Sequence, residues 1–592
     1  MLTLRLTQFT EAEDKYRVEV ALEGDGQPRQ TAVSRFDFKL SPQDHEDLRW
    51  YLEDYLQYPL DPAPTIAARI EQRMHDIGTD LFKAVFQSSD DSRDLWATLR
   101  GQLNDARVEI NTEVREATAI PWELLRDLKT EAALALRAQA FVRSQPQTSQ
   151  RPRLPAKSSG SIRILLVICR PAGSDDVPFR SVAGRLLKGL SGVDTDALQL
   201  DVLRPPTFEQ LSKTLRQAKA NGTPYHVVHF DGHGTYEEMA SPSGMAGLLK
   251  KLNPLLLSTP RAGAHGYLLF ENPQHEENAQ FVDGPALGKL LVETEVPVLV
   301  LNACRSAHAD APTSPIPAGE RSEVRAEIRA FGSLAQEVMD AGVAGVVAMR
   351  YNVYVVTAAQ FVADLYSGLT QGQTLGEAVT LSRKQLEAQP LREIAYDPRP
   401  LQDWPVPVVY EAALIPLFPK ATTTAKLQIH LKAGEVTASR GNLDASLPPQ
   451  PDAGFFGRDE TLLALDRAFD TQALVLLHAF AGSGKTTTAA EFARWYTLTG
   501  GVQGPVLFTS FEQYKPLPRV LDQIGAVFGP ALEQSGVHWL ALSNADRRSV
   551  ALQVLKQIPV LWIWDNVEPV ASFPAGTASV WSAAEQKDLS SM

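Results

Sequence analysis

The chain has 592 residues, a length typical of about four domains, and its 44% hydrophobic and 21% charged content is that of a folded globular protein. The net charge of −13 is spread along the chain without a block of one sign, so it offers no footprint for nucleic acid or for an anionic membrane. Two cysteines are too few for a disulfide framework and indicate a reducing compartment.

The N-terminus and the apolar runs argue against export and membrane insertion. "MLTLRLTQFTEAEDKYR" carries charges too early and too often for a signal peptide. The longest apolar runs, such as "SIRILLVIC", fall far below the about 20 residues that a membrane-spanning helix needs. We therefore expect a soluble, cytoplasmic protein without a membrane partner.

Residues 1–155 alternate strand-like and helix-like segments. The period-two alternation of "YRVEVAL" and "RFDFKL" predicts two strands, and the cap followed by helical spacing in "SPQDHEDLRWYLEDYL" predicts a helix. "RVEINTEV" predicts a further strand, and "PWELLRD" predicts a helix with proline in its first turn. The polar, proline-rich residues 144–161 predict a linker.

Residues 156–420 carry a second pattern, in which strands and helices alternate strictly. The segments "SIRILLVIC", "LQLDVLRP", "YHVVHFDGHG" and "VPVLVLNAC" are typical of strands, with helices such as "TFEQLSKTLRQAKANG" between them. This alternation predicts an α/β domain with a parallel sheet covered on both faces. Residues 421–452 lose the periodicity and end in "LPPQP", which predicts a linker before a third unit over residues 453–592.

Two of the predicted strands end in residues with reactive side chains. "VVHFDGHG" reaches His233 on a glycine-flanked turn, and "VLVLNAC" ends in Cys304. Active sites of parallel sheets lie at the carboxyl ends of the strands, so neighbouring strands would bring thiol and imidazole together. Because a free thiol is only a few per cent thiolate at neutral pH, His233 would assist its deprotonation and then protonate the leaving amine. The N–H of Gly234 is a natural oxyanion donor beside that of Cys304.

The same residue types also have a structural interpretation. Free cysteine is among the most buried residues, so Cys304 taken alone is more typical of a packed thiol than of a nucleophile. Cys169 has no partner motif and is predicted to be a packing residue. His226 and His229 are predicted to be strand residues, because the glycine-rich strand end does not support the helical spacing of metal motifs.

The pattern around this pair resembles the caspase-like cysteine peptidases, and within them the CHAT family. "HFDGHG" is followed further along the chain by "LNACRS", then by a helix, the strand "GVVAM", a helix with a late "GEAV", and the closing strand "DWPVPVVYEA". The preceding "VREATAIPWELLRD" matches what commonly comes before such domains, so the likeness covers residues 1–420. This context favours Cys304 and His233 as a catalytic dyad.

The resemblance implies a caspase-like parallel-sheet sandwich, with residues 1–155 as a degenerate, non-catalytic half. It also implies a cysteine endopeptidase that cleaves a protein substrate. Where the family often has Trp and an acidic residue after "GVVAM", this chain has "RYNVY", which indicates an unusual substrate groove. The long segment after Cys304 is either cut by the enzyme itself or a plain surface loop.

The substrate preference stays open in the sequence. Arg180 follows the first strand of this domain, where caspases keep a basic residue for an acidic substrate side chain, and Arg350 could join it. Asp231 shares one strand face with His233 and would favour a basic side chain instead. Charged residues near a cleft are more often solvated or paired than selective.

A phosphate-binding loop is predicted in the third unit. "QALVLLHAFAGSGKTTTAAEFARWY" reads as strand, glycine-rich loop and helix, with Ala479 in place of the usual first glycine. "IPVLWIWDNVEP" predicts a strand that ends in Asp565, which would bind Mg²⁺ through water, while Thr486 would bind it directly. We expect ATP or another nucleoside triphosphate with Mg²⁺, bound by Gly482, Ser483, Gly484, Lys485, Thr486 and Thr487.

"FFGRDETLLALDRAF" resembles the lead-in of STAND-type signalling NTPases. The sensor arginine, helical lid and winged helix of that family do not follow, so we expect an incomplete P-loop α/β domain in a truncated chain. The combined prediction is a cysteine protease held inactive by a STAND-type module until nucleotide exchange and homo-oligomerisation, in bacterial antiviral defence or programmed cell death. Two alternatives remain: an inert caspase-like scaffold, and an ATPase switch that acts by assembly.

Overall fold

The structure is a computed structural model of the chain. It describes residues 2–12, 15–24, 27–58, 60–112, 120–144, 162–172, 198–238, 264–275, 278–303, 334–351, 353–392, 398–417, 443–451, 454–513, 515–534, 537, 539, 542, 544–571 and 578–590. The chain divides into two compact units. The first comprises Met1–Gln199 and Pro205–Thr424, and the second comprises Ala425–Met592 together with Leu200–Arg204.

Most strands belong to one large sheet. The strands are β1 (Leu2–Ala12), β2 (Lys15–Gly24), β3 (Gln27–Phe36), β4 (Ala106–Thr112), β5 (Ala140–Ser144), β6 (Ile162–Ile168), β7 (Leu198–Val202), β8 (Val227–Gly232), β9 (Gly234–Glu238), β10 (Ala264–Phe270), β11 (Gln280–Asp283), β12 (Val298–Ala303), β13 (Gly345–Met349), β14 (Leu391–Arg392), β15 (Arg399–Pro400), β16 (Pro407–Glu411), β17 (Val506–Ser510) and β18 (Leu561–Asp565). Eleven strands form this sheet in the order β3-β2-β1-β4-β5-β16-β13-β12-β8-β6-β7.

The sheet is mostly parallel and has one antiparallel junction near its middle. β1, β4, β5 and β16 run parallel to one another. β13, β12, β8 and β6 form a second parallel block. The two blocks meet where β13 pairs antiparallel with β16, and β2 and β3 extend the other side as an antiparallel meander. The predicted α/β class with a large parallel sheet is therefore confirmed.

Helices are distributed along both units. They are α1 (Pro42–Arg49), α2 (Ala63–Phe86), α3 (Asp90–Leu99), α4 (Leu134–Arg137), α5 (Phe208–Ala220), α6 (Gly284–Glu293), α7 (Val355–Thr370), α8 (Leu375–Ala388), α9 (Asp459–Thr471), α10 (Lys485–Leu498), α11 (Leu517–Gln534), α12 (Asn544–Gln557) and α13 (Ala583–Ser590). A further helical stretch covers residues 334–340. Among the described residues, no helix is long and apolar enough to cross a membrane.

The centre of the sheet is covered on both faces. Every residue of β8, β13 and β16 is buried, as the continuous apolar runs predict for strands covered on both sides. A buried ion pair joins strands from the two sides of the predicted linker 144–161: Arg107 of β4 donates to Glu411 of β16 at 2.6 Å. Residues on either side of the predicted linker 144–161 thus belong to one sheet and one core.

Two predicted elements are absent from described stretches. "PWELLRD" forms a single 3₁₀ turn at Trp122–Leu124 instead of a helix. Its neighbours explain this, because the Arg126 N–H donates to the Gly78 carbonyl and the Leu125 carbonyl accepts from Leu134, which removes the groups a helix would use. The strand predicted over residues 472–480 is also wrong, since that stretch is irregular and pairs with no strand of the described chain.

The second unit has a small sheet and a core of its own. β17 and β18 pair in parallel, with Ser510 opposite Asp565. Apolar and aromatic side chains of α11, α12 and the adjoining loops pack on them, including Phe511, Ile524 and Trp581. The predicted linkers and the helix "FRSVAGRLLKGL" lie largely outside the described residues.

Candidate functional site

The strands that carry the predicted dyad are neighbours in the sheet. β8 and β12 pair in parallel, and their register places Asp231 opposite Asn302 and Gly232 opposite Ala303. His233 follows Gly232 directly, and Cys304 follows Ala303 in the sequence. Cys304 itself, the segment after it and Arg180 lie outside the described residues. Both strands therefore end at the same edge and at the same level.

His233 occupies the turn from β8 into β9, and its side chain is partly buried. Its carbonyl accepts a hydrogen bond from the Leu269 N–H at 3.0 Å, which ties the turn to β10. Gly234, opposite Leu268, is then a non-hydrogen-bonded pair of this antiparallel ladder. The Gly234 N–H is consequently not used in pairing with β10, as an oxyanion donor requires.

Asp231 is held inside the protein by an arginine. Asp231 is 2% exposed, and its carboxylate accepts from Arg170 Nη2 at 2.8 Å. Asn302 Nδ2 donates to the other carboxylate oxygen at 3.2 Å. Its charge is thus balanced internally, and the role in binding a basic substrate side chain that the sequence predicts would require these contacts to be exchanged.

The other cysteine is a packed core residue. Cys169 is fully buried, and its thiol lies 3.5 Å from the Pro206 carbonyl. Burial, reinforced by the nearby Glu271 carboxylate, raises the pKa of the Cys169 thiol well above its usual range. The thiol is therefore neutral and a poor nucleophile at physiological pH.

His229 on β8 and His226 directly before this strand are also packed residues of the protein interior. His229 is fully buried, and Tyr366 Oη lies 3.1 Å from its Nδ1. Burial lowers the pKa of His229 to about 3, so its imidazole is neutral. His226 Nδ1 accepts from the Arg163 N–H at 2.9 Å. Among the described residues, no cluster of three or more His, Cys, Asp or Glu side chains is arranged to hold a metal ion.

Arg350, the second predicted specificity residue, lies just beyond β13. Its side chain is buried, donates to the Ile120 carbonyl at 3.0 Å and lies 3.5 Å from Glu123. Glu123 also forms a bidentate ion pair with Arg143 at 3.1 and 2.8 Å. Burial works to raise the pKa of Glu123, but the Arg143 charge and hydrogen bonds outweigh it and lower that pKa. Arg350 thus faces an internal carboxylate.

The structure also brings forward residues that sequence reasoning missed. Arg170 and Asn302 contact Asp231, which precedes His233 by two residues in the sequence. The sequence signal that could have pointed to them is their position at or next to strand ends, with Asn302 two residues before Cys304. Neither belongs to a motif with an established spacing.

The predicted phosphate loop precedes α10 as expected. Gly482 and Gly484 have left-handed φ angles of 72° and 80°, which other residues rarely adopt. Lys485 Nζ donates to the Ala479 and Phe480 carbonyls at 3.1 and 3.3 Å. The loop therefore curls around the lysine at the N-terminus of a helix.

The two predicted magnesium ligands come together at this loop. Thr486 Oγ1 donates to Asp565 Oδ1 at 2.9 Å, although the two residues lie far apart in the sequence. The Ser483 hydroxyl is buried without a hydrogen-bond partner among the described residues. A helix N-terminus, an ammonium group, an orphaned hydroxyl and a hydroxyl–carboxylate pair fit a nucleotide phosphate with Mg²⁺.

Comparison with known families decides the identity of the first unit. The sequence profile of the CHAT domain family matches residues 80–417, more than half of the chain. The chain belongs to the CHAT domain family. This membership confirms the resemblance drawn from the surroundings of His233 and Cys304 at the level of a caspase-like peptidase scaffold.

Solved structures add a distant likeness to this CHAT protein. Two crystal structures of the Saccharomyces cerevisiae separase–securin complex match with TM-scores of 0.33 and 0.32, each at 11% sequence identity. Each match covers 69% of this chain but only 30% of the separase chain. No curated protein matches the chain.

Proposed function

We propose that the CHAT unit is a cysteine endopeptidase in which Cys304 is the nucleophile and His233 is the general base and acid. The observation that carries the proposal is the pairing of β8 with β12, in which the last aligned residues are Gly232 and Ala303. Each predicted catalytic residue follows one member of that pair in the sequence. Parallel strands that end level with one another are where a thiol and an imidazole can cooperate.

The proposed reaction proceeds through an acyl-enzyme. His233 takes the thiol proton, and the Cys304 sulfur attacks the carbonyl carbon of the scissile peptide to form a C–S bond. The C–N bond then breaks as His233 returns the proton to the leaving amine. Water, deprotonated by His233, attacks the thioester, releases the acid product and restores the thiol. The Gly234 N–H, unused in pairing with β10, would stabilise the oxyanion of both tetrahedral steps.

Replacement of the nucleophile tests the peptidase proposal. N-terminal proteomics of cells that express the wild type, Cys304→Ala or Cys169→Ser gives new N-termini only where the nucleophile is present. We expect these termini with the wild type and with Cys169→Ser, and none with Cys304→Ala. Cleavage by Cys304→Ala at the wild-type level would refute the proposal. A thiol-directed peptide probe that labels Cys304 and loses the label in His233→Ala separates an enzyme from an inert scaffold.

The second unit is proposed to bind a nucleoside triphosphate such as ATP with Mg²⁺. The hydrogen bond between Thr486 and Asp565 supports this proposal, because it places both expected magnesium ligands beside the loop. Lys485 would exchange its bonds to the Ala479 and Phe480 carbonyls for the outer phosphates. The bound Mg²⁺ would neutralise phosphate charge, and the glycine-rich loop would orient it.

Titration with a fluorescent ATP analogue and Mg²⁺ tests this second proposal. Lys485→Met removes charge-assisted hydrogen bonds worth about 1.5–3 kcal/mol, so we expect about 10–100-fold weaker binding. Lys556→Met, at an exposed position on α12, is the matched control and keeps wild-type affinity. Equal affinity in wild type and Lys485→Met would show that the loop does not hold the phosphates.

The regulatory role rests on the architecture of the sequence. We propose that the nucleotide module, which resembles STAND-type NTPases, restrains the peptidase until exchange and homo-oligomerisation, in defence or cell-death signalling. The alternative is an ATPase switch whose output is assembly. Nucleotide-dependent oligomers without any new N-termini would favour that alternative.

A further inference from the structure

The carboxyl ends of β6, β8 and β12 hold a polar network in an otherwise apolar sheet. Before their last residues, β8 and β12 present mainly apolar side chains to the core. At the last but one position, Asp231 of β8 and Asn302 of β12 are register partners and share a hydrogen bond of 3.2 Å. Asn302 is 0% exposed, so this bond forms out of contact with water.

Arg170 connects the third strand to the same carboxylate. It follows β6 and donates to the Asp231 carboxylate at 2.8 Å, to the Asp231 carbonyl at 2.8 Å and to the Cys169 carbonyl at 2.9 Å. Its own backbone N–H donates to Glu271 at 2.8 Å. One guanidinium therefore binds the backbone of two strands and the side chain that reaches the third.

Such a network is not the cheapest way to stabilise a sheet. Removing charged and amide groups from water costs free energy that their mutual bonds often fail to recover, so apolar residues of similar volume are commonly as stable. An unpaired member left behind costs about 1–3 kcal/mol or more. The strict hydrogen-bond geometry of the network, by contrast, fixes the relative positions of the strand ends that it joins.

The position of the network indicates what it orients. Asp231 precedes His233 by two residues, and Asn302 precedes Cys304 by two residues. We propose that Asp231 is a positioning residue: through Asn302 and Arg170 it holds the ends of β8 and β12 at the separation that the His233–Cys304 dyad needs. This inference rests on the proposed peptidase function and assigns Asp231 to the dyad and not to the substrate.

Substitutions at the shared hydrogen bond separate this role from simple stability. Asn302→Leu keeps the branching and the number of side-chain heavy atoms but removes the donor, and Asn302→Asp opposes two carboxylates. Displacement of reacting groups by about 1 Å costs about 10²-fold, so both variants should lower kcat by about 10–100-fold with KM nearly unchanged. The exchanged variant Asp231→Asn/Asn302→Asp restores one donor, one acceptor and the net charge. It should regain at least part of the kcat lost in Asn302→Asp.

A matched control is another buried carboxylate of the same sheet. Glu411 is 1% exposed and ion-paired with Arg107, but it lies opposite Gly345, where β13 begins, at the other edge. Glu411→Gln should lower the melting temperature at least as much as Asn302→Leu and leave kcat within about twofold.

The outcomes distinguish the two proposals. If cleavage disappears in Cys304→Ala while Asn302→Leu and Asn302→Asp keep wild-type kcat, the peptidase stands and the positioning role is overturned. A rise in KM alone would also overturn it, since that result assigns the network to substrate binding. If Cys304→Ala still cleaves, the peptidase proposal itself fails. Loss of kcat with rescue in the exchanged variant supports the positioning role.

Discussion

The two predicted sites lie on backbone that is held in different ways. The predicted dyad lies at the ends of β8 and β12, and the predicted phosphate site lies in the loop before α10. β8 and β12 pair with strands on both sides, and their core residues are buried. The stretch over residues 472–480, which leads into the phosphate loop, pairs with no strand in the described chain. Its side chains at Leu476 and Phe480 are 72% and 93% exposed.

This difference in strand pairing means that the backbone holds the first region in place, whereas side-chain bonds hold the second. Ladder hydrogen bonds on both sides leave the end of β8 little freedom, so the fold sets the edge of the sheet at which the dyad is proposed. At the phosphate loop, by contrast, Lys485 and Thr486 hold the conformation through bonds that a nucleotide would replace. We therefore expect large catalytic losses from single changes at the first site, and ligand-dependent geometry at the second.

The largest effect is expected at the general base. His233→Ala removes acid–base assistance, and we expect kcat to fall by about 10²–10⁴-fold. The measurement is steady-state cleavage of a peptide that spans the substrate cut site. His75→Ala, on α2 and partly exposed, serves as the control and should keep wild-type kcat. A kcat of His233→Ala within threefold of the wild-type value would contradict this prediction, because the end of β8 would then not supply the general base.

A matched pair of leucines measures the difference in support directly. Leu301 of β12 is 0% exposed, so Leu301→Ala should lower the free energy of unfolding by about 2–5 kcal/mol. Leu476→Ala removes the same atoms from an exposed position and should change it by less than about 0.5 kcal/mol. Urea denaturation of both variants provides the measurement. A cost above about 1 kcal/mol for Leu476→Ala would mean that this stretch is covered in solution.

The smallest effect concerns a half-buried carboxyl group of the first unit. Burial raises the pKa of Asp364 on α7 to about 6, and its Oδ2 is without a hydrogen-bond partner among the described residues. Because the folded pKa exceeds the unfolded one, the carboxylate costs stability as pH rises from about 4 through 6. Asp364→Asn should therefore be about 1–3 kcal/mol more stable than wild type at pH 7, and equal to it at pH 3.

A second carboxylate, that of Asp44, should give a pH dependence of stability of the opposite sign and serves as the control. A hydrogen bond from Arg73, 2.7 Å long, lowers the pKa of Asp44 to about 2. Its contribution to stability is present above the unfolded pKa and is lost as pH falls through about 2. Asp44→Asn should therefore be less stable than wild type at pH 7, and the difference should shrink towards pH 2. Denaturation of both variants and the wild type across pH 2–7 distinguishes the two signs. A stability difference from wild type that does not change with pH would contradict both predictions.

Short-range patterns predicted the two strands that lead to His233 and Cys304, and the helix that follows the proposed phosphate loop. The apolar runs ending at His233 and before Cys304 are strands, and they are the adjacent pair that the active-site argument required. The strand before the phosphate loop failed, because an apolar run becomes a strand only when a neighbour accepts its hydrogen bonds. "PWELLRD" failed for a related reason, since tertiary partners took its backbone groups.

The sequence by itself determined the α/β class, the family and the residue types able to do chemistry, because these depend on periodicity and on local motifs. Only the tertiary structure decided which charges are available. Asp231 and Arg350 looked like specificity residues along the strand, yet each faces a buried counter-charge, Arg170 and Glu123, from a distant segment. Such pairs depend on which strand lies beside which, and one-dimensional spacing does not contain that information.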